Sequence, residues 1–186
     1  DSSMERGWEC LARFAERLSE FEASQVRAVA TQTLREARNA NIFLEKANRI
    51  LGFPIEVVSG REEARLIYQG VAHLLPTSNK RRLVIDIGGR STEFIIGKNK
   101  EALQLESYRI GSVASSMKYF SSGELSAAAF HRAEIAAKAV LDEALPIFGN
   151  DAWDEAYGSS GTVSAVSEAL AQAGWPSDKI TKEGIA

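Results

Sequence analysis

Leu83-Val84-Ile85-Asp86-Ile87-Gly88-Gly89-Arg90-Ser91-Thr92-Glu93-Phe94-Ile95-Ile96 decides the fold of this chain. Its first five residues are apolar except for Asp86, so 83–87 reads as a buried strand. The glycines that follow suit a tight bend, and 91–96 reads as the hairpin partner. A turn over 97–100 leads to 102–110, which extends the same sheet. A dinucleotide-binding unit would place a helix directly after its glycines. Three successive strands joined by short turns make a different kind of α/β protein.

Working outward toward the N-terminus, Trp8, Leu11, Phe14, Leu18 and Phe21 recur three or four residues apart, giving a helix one apolar stripe. Residues 25–30 read as a short strand stiffened by Val26 and Val29, followed by a polar bend at 31–33. Residues 34–52 are mostly helical with an interruption near Asn39, and Gly52 suits the left-handed residue that ends a helix. Residues 55–58 form the next strand. Ser59 and Glu62 have capping-box spacing, so a helix starts there and stops by Pro76.

Toward the C-terminus, 113–119 and 127–145 read as helices, the second with Phe130, Ala133, Ala137, Val140 and Ala144 along one face. Residues 153–157 read as a strand, 158–161 as a tight loop and 162–173 as a helix. The expected division is a first domain ending at residue 66 and a second spanning 67–186.

The 186 residues are 45 % hydrophobic with a formal charge of −3, which gives no basic nucleic-acid surface. Cys10 is the only cysteine, excluding an intrachain disulfide and a thiolate metal cluster. His73 and His131 are too far apart for a zinc motif. No apolar run approaches a membrane span, and a cytoplasmic location is expected.

The candidate chemistry centres on 86–93. Small residues at a bend let backbone N–H groups converge on an anion, and the hydroxyls of Ser91 and Thr92 are further donors. Asp86 and Glu93 flank the bend and can face one divalent cation, for which Mg²⁺ is suited by its preference for oxygen ligands. A plain hairpin with two solvated acids fits the same residues. Arg90 offers a fork of donors to phosphate or a partner to either acid.

Three further stretches have two readings each. Glu62 and Glu63 complement the positive end of a helix, while Glu63 can also face a cleft as a general base. Arg35, after the 25–30 strand, suits either a phosphate clamp or a surface ion pair with Glu36 or Glu62. Gly158-Ser159-Ser160-Gly161-Thr162 suits an anion nest before a helix or an ordinary N-cap.

Taken together, Ala30 to Arg35, Ser59 to Arg65, Asp86 to Gly97 and Gly158 to Thr162 resemble, in order and spacing, the exopolyphosphatase and guanosine pentaphosphate phosphohydrolase family. That family lies within the actin, sugar-kinase and Hsp70 superfamily. The resemblance implies ribonuclease-H-like domains, here part of the first and much of the second, with a catalytic cleft between them. It implies Glu63 as catalytic base, Asp86 and Glu93 as ligands of Mg²⁺ or Mn²⁺, and Gly88, Gly89, Ser91 and Thr92 as a phosphate loop. Arg35 matches a substrate-phosphate arginine, and relatives suggest a homodimer.

Two departures accompany the match. The family's first-domain DxGSNS-like strand and loop has no counterpart here, and Arg90 stands where the loop normally has a third glycine. The implied activity is hydrolysis of a terminal phosphoanhydride in polyphosphate or guanosine pentaphosphate. A non-hydrolytic polyphosphate or nucleotide sensor, and a nucleotide-dependent kinase, are the alternatives.

Overall fold

The structure is a computed structural model that describes residues 2–176 and 179–185. It divides into two compact units, residues 1–59 and 60–186. The division falls at the first residue of a helix.

The first unit contains α1 (Ser2–Leu18), a 3₁₀ turn (Ala23–Gln25), β1 (Ala28–Ala30), α2 (Gln32–Glu36), α3 (Ala40–Leu51) and β2 (Ile55–Val57). β1 and β2 pair in parallel, Ala28 opposite Ile55 and Ala30 opposite Val57. Trp8 joins α1 to α3 by stacking on Phe43 at 5.8 Å, and its indole N–H donates to the Phe43 carbonyl at 3.1 Å. Gly52 ends α3 with φ 77°, as its position in the sequence leads one to expect.

Two expectations in this unit need correction. The strand begins at Ala28 rather than Gln25, because Ala23–Gln25 winds into the 3₁₀ turn. Residues 31–33 are not a free bend: the Thr31 carbonyl accepts from Leu34 and Arg35 N–H at 3.1 Å each, which starts α2 at Gln32. The expected interruption of the following helix is present, since Ala37 is extended at φ −67°, ψ 123°.

The second unit contains α4 (Gly60–Leu74), β3 (Arg81–Ile87), β4 (Thr92–Lys98), β5 (Glu101–Tyr108), α5 (Ser112–Tyr119), α6 (Ala127–Leu141), α7 (Leu145–Phe148), a 3₁₀ turn (Asn150–Ala152), β6 (Glu155–Ser159), α8 (Ser160–Gln172) and α9 (Lys182–Ile185). The sheet order is β5-β4-β3-β6. β4 is antiparallel to both neighbours and β6 runs parallel to β3.

Alternation along these strands sorts side chains onto two faces. One face carries Val84, Ile95, Leu105 and Tyr157 against Ala64, Ile67, Tyr68 and Ala72 of α4. The other carries Leu83, Ile85, Ile96 and Phe94 against Ala144, Phe148 and Trp153. Each fully buried side chain such as Val84 or Ile95 contributes roughly 1.5–3 kcal/mol.

The expected helix over 127–145 is two helices. α6 ends at Leu141, and Pro146 sits in the first turn of α7, where its missing N–H costs no hydrogen bond. The expected loop at 158–161 is also absent. Pairing of Ile85 with Gly158 and Asp86 with Ser159 carries β6 straight to α8, and the reversal is compressed into Ser160 at φ 77°.

Candidate functional site

The register of the second unit's sheet assembles a polar row at the end of the α4 face. Asp86 lies opposite Glu93, Glu93 opposite Ser107, and Asp86 on its other side opposite Ser159. These residues stand two places along from Val84, Ile95, Leu105 and Tyr157, so the strand period puts them on the core face that α4 covers. α4 brings Glu63 in its first turn to the same end.

Glu93 is 1 % exposed and its Oε1 accepts from the Ser107 hydroxyl at 2.7 Å. Burial pushes its carboxyl above the ordinary glutamate range. The hydroxyls of Ser107 and Ser91 pull it back, and the negative charges of Glu63 and Asp86 push it further up. Glu63 and Asp86 therefore lie within electrostatic reach of Glu93. Asp86 and Glu93 sit opposite each other on adjacent strands, one exposed in part and one buried, and a cation beside them would offset their repulsion.

Among the described residues no three His, Cys, Asp or Glu side chains converge closely enough to enclose a metal ion. Asp86 and Glu93 instead offer carboxylate oxygens from adjacent strands, a donor set that fits an ion retaining most of its water. Mg²⁺ and Mn²⁺ accept such a set, Mg²⁺ dehydrating reluctantly.

The bend between β3 and β4 is closed by Gly88 N–H donating to the Ser91 carbonyl at 3.0 Å. Its carbonyls are anchored on the start of α5: Gly88 O accepts from Ser112 N–H at 3.0 Å and Gly89 O from Ala114 N–H at 2.9 Å. In a planar trans peptide the N–H points opposite to the C=O. The amides of Gly89 and Arg90 are thus turned away from α5. Arg90 itself is exposed.

Ser91 and Thr92 are buried at 4 % and 6 %. The Thr92 hydroxyl donates to the Ile110 carbonyl at 2.7 Å, and that of Ser91 reaches Glu93. Both hydroxyls therefore brace the bend and its flanking acid. The Gly158–Thr162 segment is tied to the bend through Ser112, whose hydroxyl lies 3.0 Å from that of Thr162 and 3.3 Å from the Gly88 carbonyl.

Glu62 is engaged by Arg65 at 2.7 and 2.8 Å, an i,i+3 pair on α4. Arg35 belongs to the first unit, where it donates to Val58 O at 2.8 Å and to Gln32 Oε1 at 2.6 Å.

Three residues with a part in this geometry escaped the sequence reading: Ser107, Ser112 and Gly111. A Cβ at Gly111 would stand 2.3 Å from Arg90 N and 2.4 Å from the Gly89 carbonyl carbon. The sequence signal for Gly111 is its place just past the β5 strand, next to the serine that opens α5.

Comparison with known proteins gives a consistent result. A guanosine-5'-triphosphate,3'-diphosphate pyrophosphatase of Vibrio cholerae is 49 % identical over 170 residues, covering 90 % of this chain and 34 % of that protein. The chain spans about a third of the length of such curated relatives. A solved exopolyphosphatase-like protein superposes with a TM-score of 0.85 at 28 % identity, over 92 % of this chain and 55 % of that one. An exopolyphosphatase from Cytophaga hutchinsonii gives 0.75 at 25 %, over 98 % and 58 %. A Ppx/GppA protein from Aquifex aeolicus gives 0.69 at 26 %, over 99 % and 57 %.

The α/β architecture is accordingly that of the actin-like superfamily in which these proteins fold, present here over part of their length. With the Ppx/GppA phosphatase family model matching residues 1–186, the chain belongs to that family.

Proposed function

We propose that the full-length protein hydrolyses a terminal phosphoanhydride bond, releasing orthophosphate from guanosine pentaphosphate or inorganic polyphosphate. The observation that carries this reading is the pairing of Asp86 with Glu93 across a bend tied to α5 through its Gly88 and Gly89 carbonyls, with Glu63 within electrostatic reach. The family's hydrolase character supports it. The relatives at 48–49 % identity are named for the guanosine compound, which favours that substrate of the two.

The amides of Gly89 and Arg90 receive oxygens of the terminal phosphate, donating where negative charge redistributes during transfer. Glu63 orients the attacking water and takes its proton as the new P–O bond forms. The bridging P–O bond breaks on the opposite side and the leaving phosphate keeps the electron pair. Asp86 and Glu93 would hold Mg²⁺, which when bound supplies positive charge to the phosphate oxygens. Arg35 as a phosphate contact rests on its motif alone.

Phosphate release by the full-length protein, measured against Mg²⁺ concentration with both substrates, tests this reading. Asp86→Asn is expected to raise the half-maximal Mg²⁺ concentration by at least the ~10–100-fold typical of losing an outer-shell partner. An unchanged Mg²⁺ profile would remove Asp86 from the site. The second reading is a non-hydrolytic sensor, favoured by the exposed Arg90 in place of the family's third glycine. Tight substrate binding without any phosphate release would establish it.

A further inference from the structure

We infer that Ser107 is a positioning residue that fixes Glu93 for the divalent cation, an inference that rests on the metal-assisted reading above. Ser107 sits on β5, an edge strand among the described residues, directly opposite Glu93. Its hydroxyl donates to Glu93 Oε1 at 2.7 Å, and Ser91 supplies a second hydroxyl. A buried carboxylate with two hydroxyl donors has one preferred rotamer, because rotation would leave it desolvated and unbonded.

Oε1 is thereby engaged by Ser107, which holds the carboxylate in a fixed direction on the strand position paired with Asp86. Ligating carboxylates are commonly held this way, and the partner sets both orientation and affinity. The same strand also meets α4 close to Glu63. Glu106, adjacent to Ser107, pairs with Arg61 in the first turn of α4, two residues before Glu63. That pair is largely exposed and worth little by itself. The Ser107 contact, enclosed with Glu93, is the stronger constraint.

The test is Mn²⁺ binding to the full-length protein, followed by electron paramagnetic resonance, for wild type, Ser107→Ala, Ser107→Thr and Glu93→Gln. Ser107→Ala is expected to raise the Mn²⁺ Kd by about tenfold, with Ser107→Thr restoring it through its retained hydroxyl. Circular dichroism checks that each variant is folded. An unchanged Kd in folded Ser107→Ala overturns the inference while a raised Kd in Glu93→Gln leaves the metal site standing. An unchanged Kd in Glu93→Gln as well defeats the metal-site reading itself. Loss of affinity that threonine does not rescue assigns Ser107 to packing and also overturns the inference.

Discussion

Glu63→Gln in the full-length protein is expected to lower kcat for phosphate release by about 10²–10⁴-fold, the usual worth of a positioned general base. KM should change little, because glutamine keeps the size and hydrogen-bonding reach of the side chain but cannot take the proton. Stability should hold or rise slightly. Glu63 is half-buried in the first turn of α4, and its charge adds to the repulsion already raising the Glu93 carboxyl. Steady-state kinetics with a thermal melt separates these effects. Turnover at the wild-type rate would exclude Glu63 as the base.

Gly111→Ala should do comparable damage from outside the acid row. Gly111 has an extended backbone at φ −155°, so any residue could adopt its conformation. Space is what excludes a side chain: the added methyl would meet the Gly89–Arg90 peptide at 2.3 and 2.4 Å. Both obstructing groups are backbone, and the adjacent carbonyls are bonded to α5, so relief requires moving the bend. Overpacking of this kind costs typically 1–3 kcal/mol, and a displacement near 1 Å can cost on the order of 100-fold in rate. We expect a lower melting temperature and a kcat/KM reduced by roughly that factor. Unchanged melting and kinetics would show that the bend's position does not matter to turnover.

How much of this was readable beforehand follows from the range of the forces. The hairpin of β3 and β4 was legible because two apolar runs flank a glycine bend. The pairing of Asp86 with Glu93 follows once that bend is recognised. Gly52 was legible because a left-handed helix end has few chemical solutions. Ser107 was not, since a serine in a strand has no signature until its partner on the next strand is known.

The direct passage from β6 into α8 was hidden for a related reason. Gly158 and Gly161 suggest a loop, but the ladder to distant Ile85 and Asp86 holds the strand through Ser159. The turn then falls on Ser160 rather than on the glycine beside it. The extent of α6 was overread because alanine continues a helical pattern on either side of its actual end, and only Pro146 marks the restart.

The most direct measurement is anomalous diffraction at the manganese edge from crystals of the full-length protein with Mn²⁺ and a non-hydrolysable phosphoanhydride. A manganese peak beside Asp86 and Glu93 is expected, with terminal phosphate oxygens on the amides of Gly89 and Arg90. A peak elsewhere, with the phosphate away from this bend, would contradict it.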